Sequence, residues 1–358
     1  MNNKFILSKE SSLILRGVAI MAIMLHNFLH NPQLGFSLEN EMAYKPENAL
    51  HFFEVVGFKG LNVYELLSFL GWTGVVVFVF LTGYGVAKNP PPTLSDSYHY
   101  VRRQYLKLLA LLLPAMAIFI IGDAIQHNLI PTLLKRISYI TMMANIAYPW
   151  VKCPPGVYWY FGFTFQLYLL YAFLGKYLNG KNLLFWGTLS IICLAGLCSA
   201  DMPEILSVYK HCFTGWFAIF AIGLWLGNKD EKEVAKYSNH SMLFDIMLII
   251  ISAFLVFWMN KWMVMWLLVP FAALVMFVSI GLVIMRSIYL SAVFKWIGQL
   301  SAFIFVCHPI VRFVINRYML GRVDNLLCVV FVYVISTIII AVLYQRLYKR
   351  LFIFVNNN

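Results

Sequence analysis

The sequence predicts an all-α integral membrane protein with about ten transmembrane helices and cytoplasmic N- and C-termini. Three observations predict it. Of 358 residues, 61% are apolar and 12% charged, where a soluble domain carries roughly 25% charge. The mean hydropathy is +0.77. The apolar residues also fall into runs of about 20, the length a helix needs to cross a ~30 Å hydrocarbon layer. A soluble enzyme, a disordered chain and a coiled coil are excluded, because so few polar residues cannot cover a soluble surface.

The first run, 13–29, follows Lys9 and Glu10 and lacks a small-residue cleavage site after it. It is therefore expected as a retained first span rather than a removed signal peptide. Further runs lie at 66–87, 106–124, 157–175, 183–199, 212–228, 242–260, 262–285, 299–319 and 326–345. Asn260-Lys261 alone separates the seventh from the eighth. Between the second and third spans lie Lys88, Arg102 and Arg103, and after the last come Arg346, Lys349 and Arg350, all expected inside. The first outer connection gathers Glu39, Glu41, Glu47, Glu54 and Glu65. Most of the surplus of 27 basic over 15 acidic residues then sets orientation by the positive-inside rule, and no nucleic-acid partner is expected.

Two outer connections are long, 30–65 and 125–156. The first holds an apolar piece at 49–56, expected as a surface or re-entrant helix. The second holds one at 137–147 and ends in the turn Cys153-Pro154-Pro155-Gly156. Long loops in a compact domain tend to be functional lids. No appended domain is visible, so 1–358 is expected to be one membrane-embedded domain. The six cysteines form no Cys-x-x-Cys pair and are expected to be unpaired packing residues.

Ionisable side chains inside a span are costly, and each is a functional hypothesis. The first span carries Arg16 and His26, followed by Asn27 and His30. His26 lies about 15 Å along the helix from Arg16, deep in the hydrocarbon layer, where a neutral imidazole can take a proton from a hydroxyl. Hydrogen bonding between helices, with Arg16 reaching the inner surface, is the competing structural role. Thr82-Gly83-Tyr84 closes the second span, and Arg102, Arg103 and Lys107 follow as a basic cluster. That cluster suits phosphates as well as membrane anchoring, and no Walker-type loop accompanies it. The fourth span supplies Trp159, Gln166, Tyr168 and Tyr171, with the two tyrosines near one face. The ninth supplies Ser301, His308, Pro309 and Arg312, where the proline removes a helix donor.

Taken in order, these motifs resemble the acyltransferase-3 family of membrane-bound bacterial O-acyltransferases. The resemblance rests on Arg16-Gly17 with His26, on the Phe-rich run ending Thr82-Gly83-Tyr84, and on the basic loop. It continues through Trp159 to Tyr171 and ends at Gly298, Ser301, His308 and Pro309. It implies transfer of an acyl group, commonly acetyl from acetyl-CoA, to a carbohydrate hydroxyl of an envelope glycan or its lipid-linked precursor. It also implies a bacterial cytoplasmic (inner) membrane location among membrane lipid, with no metal. His26 would then be the general base and Arg16 its support. Arg102, Arg103 and Lys107 would contact CoA phosphates. Asn27, His30, Thr82, Tyr84, Trp159, Gln166, Tyr168, Ser301, His308 and Arg312 would line the site. Nine residues separate Arg16 from His26 where the family has ten, Thr82 stands for Ser, and Gln166 for a frequent Glu. A polytopic transporter or exporter of a glycan or small anion, with His26, His308 and Arg312 on its pathway, is the alternative.

Overall fold

The computed structural model describes residues 7–89, 92–126, 129–147, 156–230, 233 and 241–356. Cys153, Pro154 and Pro155 of the expected turn lie outside the described residues. Among the described residues, all regular structure is helical. In chain order the helices are α1 (Lys9–Leu29), α2 (Pro46–Lys59), α3 (Val63–Leu70), α4 (Val75–Ala87), α5 (Leu94–Ile125) and α6 (Leu129–Ile140). Next come α7 (Ala144–Ala147), α8 (Trp159–Leu174), α9 (Gly180–Ser199), α10 (Pro203–His211) and α11 (Phe217–Gly227). The series ends with α12 (Met242–Met259), α13 (Met263–Trp266), α14 (Val269–Met285), α15 (Ile288–Tyr318) and α16 (Leu326–Asn356).

Eight helices among the described residues are long and apolar enough to cross a membrane, or nine if a bent pair counts as one span. They account for eight of the ten expected runs. The two others are built differently. The run at 212–228 is the second half of a pair, α10 and α11, bent by 74° at a break. The run at 262–285 divides into α13 and the 17-residue α14. Pro270 sits in the first turn of α14, where its missing N–H costs nothing and where it cannot continue an earlier helix.

The chain divides into two compact units. The first comprises 1–90, 178–206 and 216–301. Within it α1 packs on α3, α4, α14 and the 3-10 turn Gly71–Gly74, which joins α3 to α4. Close backbone approach comes from glycine, as is common where helices meet in lipid. A Cβ on Gly83 would stand 2.3 Å from the Phe220 carbonyl oxygen, and one on Gly223 2.2 Å from that of Phe80. So α4 and α11 each present a glycine to the other's backbone. Asp245 of α12 is fully buried and pairs with Arg286 at the end of α14. The piece at 49–56 forms part of α2, a surface helix whose Phe52 stacks on Phe69 of α3 at 4.1 Å.

The second unit comprises 91–177, 207–215 and 302–358. Its core gathers Leu112, Met116, Tyr139, Tyr158, Phe161 and Val306. Tyr158 donates its hydroxyl hydrogen to the Val306 carbonyl, and Tyr344 donates to Leu111 at 2.7 Å. Arg136 of α6 grips Asp123 of α5 through two bonds, of 2.7 and 2.9 Å, the bidentate geometry that favours arginine over lysine. The five described cysteines, Cys193, Cys198, Cys212, Cys307 and Cys328, are free thiols.

Candidate active site around His26

The site begins with how α1 starts and stops. Ser8 caps it, its hydroxyl accepting from the Ser11 N–H at 3.1 Å, and Glu10 in the first turn suits the helix dipole. The helix stops at Leu29, the His30 N–H closing on the His26 carbonyl at 2.7 Å, and Asn31-Pro32 prevents continuation. His26 thus occupies the last turn and is 4% exposed.

Gly71 sets what faces it. A Cβ there would lie 2.6 Å from the His26 Cβ and 2.9 Å from the Ala22 carbonyl oxygen. Without a side chain at 71, the end of α3 closes on α1 and brings two carbonyls to the imidazole. His26 Nδ1 is 3.0 Å from the Ser68 oxygen and 3.2 Å from that of Leu67. A carbonyl only accepts, so Nδ1 carries the hydrogen and the lone pair resides on Nε2.

The loop after α1 completes the surroundings. Ser68 Oγ donates to the Ser37 carbonyl at 2.7 Å, and the Ser37 N–H donates to Glu65 Oε1 at 3.0 Å. Glu65 is buried and positioned by Asn62, whose Oδ1 accepts the Glu65 N–H at 2.7 Å and caps α3. His51 Nδ1 meets Ser37 Oγ at 3.0 Å. The His30 ring centroid is 5.4 Å from that of His26, and His30 Nδ1 pairs with Glu39 Oε2. Burial disfavours charge on Glu39, but its hydrogen bond to His30 and the charge there outweigh it. The carboxyl is held below the usual carboxylate range. One ligand-capable atom from each of His26, His30 and Glu39 lies within 4.8 Å of the other two.

Of the expected site residues in this unit, His30 joins His26. Arg16 is exposed and ten positions earlier on the same helix, about 15 Å along its axis, too far to touch the His26 ring. Asn27 turns its amide back to the Ile23 carbonyl at 2.9 Å. Thr82 likewise donates to Phe78 within its own helix at 2.7 Å, so its hydroxyl serves α4. Tyr84 is buried, with the Lys88 ammonium 5.0 Å from its ring centroid. Ser301 is buried near the middle of α15. A cavity of about 350 Å³ opens at the opposite end of α1, lined by Ser11, Ile14, Lys295 and Gln299 among others.

The other expected residues belong to the second unit. Arg102, Arg103 and Lys107 are exposed on α5, available to an anion. Tyr168 and Tyr171 do share a face, both meeting Tyr100 with ring centroids 6.4 and 6.5 Å away. Gln166 faces elsewhere: its Oε1 accepts the Phe213 N–H at 3.1 Å and its Nε2 reaches Cys212 Sγ at 3.8 Å. It satisfies the Phe213 N–H at the 74° bend between α10 and the run at 212–228. Trp159 packs edge-on against His211 at 5.4 Å. His308 is fully buried and donates from Nδ1 to the Ile304 carbonyl at 3.1 Å. Arg312, one turn on, is half-buried.

Sequence reading passed over Glu39, Ser37, Glu65, Ser68 and Gly71 as site elements. One signal was present: Asn62 three residues before Glu65 is a helix-start pattern, which marks Glu65 as oriented. No curated protein and no solved structure gives a match to this chain. The acyltransferase domain of the acyltransferase-3 family matches residues 13–346. With apolar helices long enough to cross a membrane several times, and with that match covering nearly its whole length, the chain belongs to the acyltransferase-3 family of multi-pass membrane acyltransferases.

Proposed function

We propose that the protein moves an acyl group, acetyl in the first instance, from acyl-CoA to a hydroxyl of a cell-envelope glycan or lipid-linked sugar, with His26 as general base. The observation that carries this reading is the tautomer of His26. Two backbone carbonyls hold its Nδ1 hydrogen, leaving a lone pair on Nε2 in a buried setting. That lone pair takes the hydroxyl proton as the oxygen attacks the thioester carbonyl. The tetrahedral intermediate collapses, the C–S bond breaks, and the departing CoA thiolate takes up the proton held by the His26 imidazolium. The imidazolium formed meanwhile is balanced by Glu39, acting beside His30 as a positioning pair. That role replaces the one first expected of Arg16.

In this reading Arg102, Arg103 and Lys107 bind the CoA phosphates. Counting the bent pair α10–α11 and the shorter α14 as one span each alongside the eight gives ten spans, read with both ends in the cytoplasm as one domain over 1–358 of a bacterial inner membrane. The end of α1 bearing His26, with the loop holding Glu39 and Glu65, then faces outward, toward envelope sugars. The test is transfer of label from acetyl-labelled CoA into membrane glycans, comparing wild type with His26→Gln at equal membrane levels. A loss of at least about 100-fold is expected for a missing general base. Undiminished transfer in the variant would remove His26 from the chemistry.

A further inference from the structure

Two imidazoles and a carboxylate converge at the end of α1, and the combination suits a metal as well as a proton. His26 stands in the last turn of α1 and His30 is its C-cap, the two rings 5.4 Å apart. Glu39 returns to them after the short 3-10 turn Pro32–Leu34 and Gly35, whose φ of +70° reverses the chain. We propose that His26, His30 and Glu39 form a binding site for one divalent transition-metal ion of the zinc class.

Four features of the site support this against the expectation of no metal. One donor atom of each residue already lies within 4.8 Å of the others. Two nitrogens and one carboxylate form the donor set of zinc and its neighbours, whereas calcium and magnesium take oxygen. His26 has the outer partner typical of a metal-ligating histidine: Nδ1–H is held by the Ser68 and Leu67 carbonyls, so the ring is oriented and Nε2 is the ligand atom. Glu39 and His30 are already drawn together, and the ion takes the place of the hydrogen between them. Three protein ligands leave a fourth position for water or a substrate oxygen.

One consequence rests on the proposed function. The ion and the acceptor's proton compete for the same His26 lone pair, so a bound ion inhibits acyl transfer.

The experiment uses the full chain in detergent, stripped with chelator and then equilibrated with Zn²⁺. Bound metal is measured directly, and Co²⁺ substitution reports ligand geometry in the unmutated protein by its visible spectrum. One ion per chain is expected, with affinity lowered about tenfold or more in Glu39→Gln and in His30→Ala. His51→Ala, which touches Ser37 but contributes no ligand, should bind as wild type does. No stoichiometric zinc in the wild type would overturn the site. So would undiminished affinity in both ligand variants, or loss of binding in His51→Ala with the fold intact. Zinc bound by wild type and released in Glu39→Gln supports the site whether or not the membranes transfer an acyl group. A failure of the proposed activity is thereby separable from a failure of the metal site.

Discussion

His26 Nδ1 and the Ser68 carbonyl oxygen stand 3.0 Å apart across 42 residues of sequence. That bond decides which imidazole nitrogen keeps its hydrogen, and it exists because Gly71 lets the end of α3 close on α1.

A methyl group at position 71 would stand 2.6 Å from the His26 Cβ, well inside van der Waals contact, with the backbone of α1 behind it. Gly71→Ala should therefore cost about 1–3 kcal/mol by overpacking and reduce acyl transfer by displacing the Ser68 carbonyl. Gly85→Ala is the control. That glycine is exposed on α4 with nothing within 4 Å of an added Cβ, so alanine should be neutral or stabilising by about 0.5–1 kcal/mol. Thermal unfolding in detergent and labelled transfer on the same preparations check both.

Glu39 has its carboxyl held below the ordinary range, burial opposing and the His30 hydrogen bond and charge prevailing. A depressed folded-state pKa gives stability that is fully present above the unfolded value, about 4.3. That stability is lost as pH falls through the lower folded value. Wild type should thus lose thermal stability on acidification through this window, and Glu39→Gln should lose less. Melting curves of the two proteins from neutral pH downward read the difference, and parallel curves would exclude the His30–Glu39 pair as its source.

Gln166 is predicted to matter for structure through its oxygen. Gln166→Glu keeps an acceptor for the Phe213 N–H and should unfold close to wild type. Gln166→Leu leaves that backbone donor without its side-chain acceptor at the break between α10 and α11, at a cost of about 1–3 kcal/mol. Equal stability of the two variants would show that the bond is dispensable.

Neutralising Arg102, Arg103 and Lys107 to Gln should raise KM for acyl-CoA and leave kcat nearly unchanged, because phosphate contacts far from the thioester bind substrate and transition state alike. A fall in kcat at saturating acyl-CoA would instead place the cluster in the chemical step. The three side chains are exposed, so folding should be unaffected.

Much of the fold was legible because hydropathy is a local property. A buried peptide group in lipid must be satisfied within its own helix, so apolar runs such as 13–29 and 242–260 read directly as α1 and α12. The failures have local causes too. Pro270 starts a new helix within the eighth run. The sixth run stays short because the chain bends by 74° just ahead of it, where the Phe213 N–H finds its acceptor in Gln166 of α8, a partner that no window on the run itself contains.

The sequence by itself determined the membrane class, the helical framework and the presence of an ionisable His26 in the first span, which the structure sets in the last turn of α1 rather than mid-layer. Only the tertiary structure decided what that histidine is. Its partners are two backbone carbonyls from α3, which have no side-chain signature, and beside it His30 holds a loop glutamate, nine positions onward from His30, that reads in isolation as one more outer acid. Arg16, close in the motif, is turned away by helical geometry, while Glu39 is brought in by a chain reversal at Gly35. Burial can be read along one dimension. The tautomer, the charge balance and the ligand set depend on which groups meet in three.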